Sequence, residues 1–433
     1  MRRETTLAGA LAVVLAVGVA VSGTAADEKS GNPPKPDDPD LDNLPGIIFD
    51  DSIGDWVLDR FAGNDKAGPL LYQGPAREIG GLGQIQQAVT TPDGTVYIAC
   101  RGRTGRGELV KVTPDGALRL VMEKEGRIKG LMEECQAGRP IWNPKEKTLY
   151  LTGPNCLRKV VEKPDGTRWV EVVAGIPGKA PPKKGKPQDG QAKEATFESF
   201  CRGVVCNSRG TFFWLESIPY SGRLRRIENG IVSTVPLKRP DNPSNYFLNF
   251  AMGGNACGLL SLGENDDTLY ISDYYGQDGY VVLKCDVKTG LLTRVCGINR
   301  KVKETWPSSL AERHKRFRGE TDGPALTHTS GNSGMWGTYD FFHNAIWIGC
   351  PDAMRFRWLK LDGDGWVRTT FGARRPETKP QSYDGNGLGI PGEQFRVHYP
   401  RVIGFDAKGG VFVCHHGNKT GIWRAYNKKE VKP

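Results

Sequence analysis

The chain has 433 residues and a formal net charge of +10 at pH 7. It contains 56 Gly, 10 Trp, 13 Tyr and 16 Phe and lacks a long amphipathic helical pattern, which favours an all-β fold with many turns over a helical one. In an exported protein the positive charge favours acidic small molecules or polysaccharides as partners and excludes nucleic acid from our expectations.

The N-terminal segment predicts export. Arg2 and Arg3 precede an apolar run, Leu7 to Gly23, and small residues follow it. Residues 1–26 are therefore predicted to be a signal peptide, and the mature protein to be periplasmic, cell-envelope or extracellular. The alternative is an uncleaved membrane anchor, because the run is at the lower limit of a spanning length. We expect membrane contact only in that case.

Residues 27–54 are predicted to be a flexible tether. The stretch Asp27 to Pro45 is acidic and rich in Pro, with almost no large apolar side chains. Such a segment buries too little surface to offset the entropy lost on ordering.

A four-stranded pattern follows and repeats along the chain. In its clearest copy, three short apolar runs and the strand Ile231 to Val235 alternate with Gly/Asn turns, which predicts one antiparallel sheet. The second strand of this pattern recurs six times, at Val96–Ala99, Leu149–Thr152, Phe212–Leu215, Leu269–Ser272, Ile346–Gly349 and Val411–Cys414.

The spacing of the copies predicts a closed ring. Glycines that end the fourth strands recur at multiples of roughly 60 residues. The last copy lacks a fourth strand, whereas Asp55 to Gly63 is a spare strand at the N-terminus. Residues 55–427 are therefore predicted to form a six-bladed β-propeller closed by the N-terminal strand, and residues 428–433 a tail. A seven-bladed ring would need a further repeat within Ile298 to Arg318, which lacks a strand pattern.

Three short motifs precede inner strands: "DGQAKEATF" (189–197), "TDGPAL" (321–326) and "YDGNG" (383–387). Together with "RGVVCNSRGTFFWLE" and "GRLRRI", they resemble the NHL repeat of six-bladed propellers. The resemblance implies the fold. It does not imply one function, because that family includes scaffolds, ligand binders and a few enzymes.

Long loops are predicted on one face of the disc, and tight turns on the other. Where the inner strands begin on the long-loop face, Arg139, Arg202 and Arg401 occupy corresponding positions, with Gln87 as a fourth member. Guanidinium groups hold carboxylates bidentately, so these residues predict an anion site. Alternatively, each Arg pairs with a channel carboxylate, and both arrangements can coexist.

Glu216, Asp273 and His415 end second strands at the same mouth and offer ligands for a divalent metal. Cys100 or Cys350 would supply a fourth ligand if neither is in a disulfide. Lactonase-like and amidating-lyase-like propellers hold metal in the channel, although their ligand sets do not occur here. The sequence has no signature for haem or nucleotide binding.

Ten Cys in an exported chain predict disulfides, and Cys135–Cys156 and Cys285–Cys296 are local candidates. The favoured function is an exported, monomeric propeller that binds an anionic small molecule, carbohydrate or protein on its long-loop face. The alternative is a metal-dependent hydrolase or lyase at the channel mouth. A third possibility is a structural cell-envelope module. The sequence leaves open whether the protein is an enzyme.

Overall fold

Antiparallel strands make up nearly all of the regular structure in the computed structural model of the chain. It describes Asp50–Glu430, apart from residues 65–72, 81, 83, 102–106, 122–138, 154, 165–167, 180–187, 197–200, 219–220, 239–259, 275–279, 298–319, 327–328, 331–335, 351–354, 373–387, 396–399 and 416–420. The strands form six sheets of four or five strands, which we call blades 1 to 6. The inner strand of each blade contacts that of the next, and the inner strand of blade 6 contacts that of blade 1. The predicted six-bladed propeller is confirmed.

Each blade contributes an inner, a second, a third and an outer strand, and the ranges of each kind run from blade 1 to blade 6. The inner strands are Gln84–Thr90, Pro140–Asn143, Cys201–Cys206, Leu260–Leu262, Trp336–Asp340 and Pro400–Phe405. The second strands are Val96–Arg101, Thr148–Gly153, Phe212–Ile218, Thr268–Tyr274, Ala345–Cys350 and Val411–His415. The third strands are Gly107–Val112, Cys156–Glu162, Ser221–Glu228, Tyr280–Asp286, Arg355–Lys360 and Ile422–Asn427. The outer strands are Ala117–Leu120, Arg168–Gly175, Ile231–Val235, Leu292–Cys296, Trp366–Gly372 and Trp56–Ala62.

Short elements complete the fold. Four blades carry a two- or three-residue edge strand beyond the outer strand: Gln73–Pro75, Gly190–Gln191, Gly323–Pro324 and Ile390–Pro391. A separate pair joins Glu320–Thr321 to Thr329–Ser330. The 3-10 helices are Ile53–Asp55, Ala76–Glu78 and Gly392–Gln394.

The turns between inner and second strands are held by side chains that the sequence places at their first position. Asn207 accepts hydrogen bonds at Oδ1 from the backbone N–H of Arg209 (3.2 Å) and Thr211 (2.9 Å). Asp406 accepts in the same way from Lys408 (2.7 Å) and Gly410 (2.8 Å). Asn and Asp favour such turns because their short side chains satisfy nearby backbone donors.

The N-terminal strand closes the ring as predicted. Trp56–Ala62 pairs antiparallel with Ile422–Asn427, with Val57 opposite Tyr426. The adjoining core contains three fully buried indoles, Trp56, Trp347 and Trp358. A buried indole N–H needs an acceptor. The three donate to Ser52 Oγ (3.2 Å), Asp340 Oδ2 (2.8 Å) and Asp50 Oδ2 (2.9 Å), respectively.

Residues 50–54 belong to the folded part rather than to the predicted tether. The N–H of Asp50 donates to the carbonyl of Thr369 at 2.8 Å, and its carboxylate accepts from Trp358. The composition of the segment does not predict these contacts, because the partners lie in blade 5, about 300 residues later in the chain. The folded part therefore begins at or before Asp50, whereas the sequence predicted that it begins with the strand at Asp55.

The "DGQA" type of motif forms the link between blades. The N–H of Gly175, at the end of blade 2, donates to the carbonyl of Ala192 at 2.7 Å, and Ala192 donates to Gly230 in blade 3 at 2.8 Å. Ala76 and Ala325 make the corresponding bonds. In the link to blade 6 this residue is Gly392, where an added Cβ would lie 2.8 Å from Trp56 Cβ. Only a small residue fits between the sheets.

The predicted Cys285–Cys296 disulfide is not formed. Both side chains are buried free thiols, and the ladder places Cys285 opposite Leu292 and Cys296 opposite Val282. Burial raises the pKa of both thiols to about 12, so they remain protonated. Cys135, a member of the other suggested pair, lies outside the described residues.

Candidate functional site: the channel mouth

Three of the four candidate anion-binding residues lie at one ladder position of their inner strands, and the fourth lies directly before its strand. The backbone pairs Gln87 with Ala99, Arg202 with Leu215, and Arg401 with Cys414. Arg139 precedes its strand, and its carbonyl accepts from the N–H of Thr152 at 3.1 Å. The side chains of Gln87, Arg139 and Arg401 are half-buried, and that of Arg202 is not among the described side chains.

Three of these inner strands contain a β-bulge, which adjoins the candidate residue in blades 1 and 3 and lies one residue farther away in blade 6. The register shifts between Ile85 and Gln87 in blade 1, between Arg202 and Val204 in blade 3, and between Val402 and Gly404 in blade 6. A bulge interrupts the alternation of side chains and re-aims those beside it. An assumption of regular alternation along the strand therefore cannot predict which way these side chains face.

Arg401 joins blade 6 to blade 1 at the mouth. Its Nη1 donates to the carbonyl of Ile85 at 3.4 Å. Burial lowers the pKa of Arg401, and burial raises the pKa of the neighbouring Cys414 thiol to about 12. A guanidinium still keeps its charge at neutral pH. The mouth thus contains a poorly solvated cation beside a neutral thiol.

Glu216 pairs with Arg225, a residue that the sequence did not identify as a site residue. Its carboxylate is fully buried and lies 2.5 Å from Nη1 of Arg225, which is buried as well. Arg225 also donates through Nη2 to Gln188 O and to Asp189 Oδ1, both at 3.0 Å. One guanidinium therefore connects the second strand of blade 3 to the end of the preceding link.

This arrangement has a structural counterpart in blade 5. Arg357 Nε lies 2.9 Å from Asp322 Oδ1, and Thr369 Oγ1 donates to Asp322 Oδ2 at 2.8 Å. Asp189 and Asp322 are the acidic residues of two of the three "DG" motifs, and their carboxylates hold buried arginines. The third motif, residues 383–387, lies outside the described residues. Arg158 is buried at the same third-strand position in blade 2. The sequence signal for this pairing was the central Arg of "GRLRRI", and it was weak because burial of a charged residue in a strand is not visible in composition.

The candidate metal ligands share a ladder position near the ends of their second strands. Glu216, Asp273 and His415 each lie near the end of a second strand, and Asp273 is fully buried. The side chains of His415 and Cys350 are not among those described, and Cys100 is buried. Among the described side chains, no three His, Cys, Asp or Glu residues form a metal-binding group. The metal site stays a prediction.

The opposite face is bound together by contacts between tight turns. Ser208 N donates to Asp266 Oδ1 at 2.9 Å, from blade 3 to blade 4. Hydrogen bonds from Arg209 and Lys288 lower the pKa of Asp267 to about 2. Tyr270 and Tyr339 stack with centroids 5.3 Å apart, from blade 4 to blade 5. These contacts give the tight-turn face a structural role, which leaves the channel mouth as the candidate site.

Comparisons with known proteins support the fold. No protein-family model matches the chain, and no curated protein matches it. It is similar to three crystal structures from Bacteroides. A protein of unknown function from Bacteroides thetaiotaomicron has 14% identity and a TM-score of 0.55, over 86% of this chain and 76% of that one. An auxiliary nutrient binding protein from Bacteroides ovatus has 12% identity and a TM-score of 0.52, over 86% and 76%. A putative phosphatase from Bacteroides thetaiotaomicron has 11% identity and a TM-score of 0.52, over 86% and 78%.

At these identities the likeness concerns the fold alone. The class that fold and comparisons define is a six-bladed β-propeller. No helix among the described residues has the length and apolar character needed to cross a bilayer.

Proposed function

We propose that the protein is an exported ligand-binding propeller whose channel mouth holds an acidic small molecule or an acidic carbohydrate. The observation that supports this most directly is the common ladder position of Gln87, Arg202 and Arg401 on three inner strands, with Arg139 directly before a fourth. Inner strands surround a common axis in a propeller, so residues at one level of them are near one another. The resemblance to NHL repeats is in keeping with a binding role.

Charge favours the same ligand class. The poor solvation of Arg401 makes an incoming carboxylate or sulfate a stabilising partner, since a charged hydrogen bond in a desolvated site contributes about 1.5–3 kcal/mol. Gln87 would add an uncharged donor and acceptor, suited to a hydroxyl group. A protein that presents a carboxylate side chain would satisfy the same chemistry.

The second hypothesis is a metal-dependent hydrolase or lyase that uses Glu216, Asp273 and His415. It is less well supported because the Glu216 carboxylate already lies 2.5 Å from Arg225. A metal ion would have to displace that guanidinium and leave its charge buried, which is costly.

Isothermal titration calorimetry with galacturonate tests the proposal. We expect Arg401→Ala and Arg139→Ala to weaken binding by about tenfold to a hundredfold. Arg209→Ala is the matched control, because it removes the same charge from the tight-turn face, where Arg209 pairs with Asp267. Equal losses in all three variants would indicate diffuse attraction by net charge and contradict a formed site. Absence of binding to galacturonate, citrate and sulfate would contradict the proposal as well.

A further inference from the structure

A cavity of about 470 Å³ lies on the outer side of blade 5, away from the channel mouth. One wall is the segment Asp50–Asp55, and another is the end of the third strand with the turn to the outer strand. Lys429, after the third strand of blade 6, completes it. The cavity therefore exists only because the two ends of the ring meet beside blade 5.

The wall formed by Asp50–Asp55 is fixed by hydrogen bonds. Asp50 N donates to Thr369 O at 2.8 Å, and Asp50 Oδ2 accepts from Trp358 Nε1 at 2.9 Å. Farther along, Asp55 O accepts from Lys428 N at 2.9 Å. A cavity with anchored walls needs little ordering when a ligand enters, which favours binding.

The lining combines an aromatic surface with paired charges. Trp366 is 38% exposed, a large value for an indole. Arg368 makes a two-point hydrogen-bonded pair with Asp364, with Nη1 to Oδ1 at 2.7 Å. Lys429 Nζ lies 2.8 Å from Asp55 Oδ2. Each pair presents donors and acceptors side by side, the pattern that two neighbouring hydroxyl groups can satisfy.

Charge selects among possible ligands. The lining carboxylates belong to Asp50, Asp51, Asp55 and Asp364, and the cations to Lys360, Arg368 and Lys429. An anion would meet the excess of carboxylates. A cation at the indole rings would be repelled by Lys360, 4.5 Å from the Trp358 centroid, and by Arg368, 5.9 Å from that of Trp366. A neutral molecule with an apolar face and many hydroxyl groups meets neither obstacle.

We propose that this cavity is a binding site for a neutral sugar ring, which stacks on Trp366 and hydrogen-bonds to the Arg368–Asp364 and Lys429–Asp55 pairs. It is a second site, distinct from the channel mouth in position and in the charge of its ligand. If both sites are occupied by one polysaccharide, its acidic units bind at the channel mouth and its neutral units in the cavity. Such two-point binding has a higher affinity than binding at either site alone.

Blade 2 offers a matched control. Trp169 lies at the corresponding position near the start of its outer strand, is 41% exposed and has Lys163 Nζ 3.9 Å from its ring centroid. It does not line the cavity, which the Asp50–Asp55 segment forms only at blade 5. Trp169 thus has the same exposed indole and neighbouring cation as Trp366, but it does not line a cavity walled by the Asp50–Asp55 segment.

The test is calorimetric titration with cellobiose, maltose and lactose. We expect at least one to bind at millimolar concentration, Trp366→Ala to weaken it by about tenfold, and Trp169→Ala to leave it unchanged. Asp364→Asn, which keeps the side-chain size, should weaken it too. Arg401→Ala should have no effect, so this site and the channel mouth are tested separately. Failure of all three sugars to bind, or equal losses in the two Trp variants, would overturn the proposal.

Discussion

Buried arginines are the residue-scale feature that sequence composition hides. Arg225 and Glu216 are both fully excluded from solvent and 2.5 Å apart. Burial of either charge alone is costly, because water no longer solvates it. The pair is therefore stable only when complete, and its role is to hold blade 3 together.

Glu216→Ala should lower the free energy of unfolding by about 3–5 kcal/mol, because it leaves the Arg225 charge without its nearest partner. Urea denaturation measures this. Glu171→Ala is the control, since Glu171 and Lys193 are exposed and 3.8 Å apart. That variant should lose less than about 1 kcal/mol. Similar values for the two variants would mean that Glu216 does not carry a buried charge.

His343 is held between two carboxylates beside the tryptophan cluster. Its Nδ1 lies 2.5 Å from Asp340 Oδ2, and its Nε2 lies 2.8 Å from Glu430 Oε2. Burial disfavours the charged ring, but the hydrogen bonds and charges of Asp340 and Glu430 outweigh this and raise the pKa of His343. The His343 ring thus ties the C-terminal segment to blade 5, and its two carboxylate partners favour the protonated form.

A raised pKa in the folded state stabilises the fold below the ordinary value of 6.5, and that contribution disappears as the pH rises through the raised pKa. The wild type should therefore lose part of its free energy of unfolding across this range. His343→Gln should lack that part of the pH dependence, and Glu430→Gln should reduce it. Urea denaturation at several pH values measures it, and identical profiles for wild type and His343→Gln would refute the assignment.

At the scale of the element, the closing strand and the segment before it contribute separately. Trp56–Ala62 supplies a ladder and three consecutive buried side chains. Residues 50–55 supply the acceptors for two buried indoles. The strand completes the sheet of blade 6, whereas residues 50–55 satisfy the polar atoms of the indoles in the adjoining core.

Three truncations separate these contributions. Deletion of residues 27–45 should leave the melting temperature unchanged, because an acidic, Pro-rich segment buries little surface. Deletion of 27–55 should lower it, since buried indole donors lose their acceptors. Deletion of 27–63 should cause unfolding or aggregation through the exposed edge of blade 6. If the shortest and longest truncations melt alike, the strand does not close the ring.

Strands were predictable because each copy of the repeat has its own turn residues and apolar alternation. The six second-strand segments and the N-terminal closing strand follow from that local pattern. The partners of individual buried polar side chains were not predictable, whether far apart in the chain, as Asp50 and Trp358 are, or on neighbouring strands, as Glu216 and Arg225 are. The bulges at Gln87 and Arg202 were missed as well, because a one-residue shift leaves little trace in a sequence.

For the whole molecule, closure makes the six blades depend on one another. Blade 6 contacts blade 1 through the inner strands, and cores of neighbouring blades share buried side chains. An open array of repeats can lose its terminal units one at a time. A closed ring has no terminal unit to lose first.

Leu58→Ala should therefore reduce the stability of distant blades as well as blade 6. Leu58 is fully buried, so we expect a loss of about 2–5 kcal/mol. Amide hydrogen exchange should report similar losses of protection in blade 3, on the other side of the ring, and in blade 6. Loss confined to blade 6 and its neighbours would show that the blades open independently.

The position of the closing strand also sets the order of events during synthesis. Trp56–Ala62 leaves the ribosome roughly 360 residues before its partner Ile422–Asn427, an interval of about 20–70 s at ordinary rates of translation. Throughout that time Trp56, Val57 and Leu58, which end up buried, have no sheet to join. The chain therefore carries an unsatisfied apolar segment at its leading end until the last blade exists. We therefore expect that segment to be open to contact with chaperones while the rest of the chain is made.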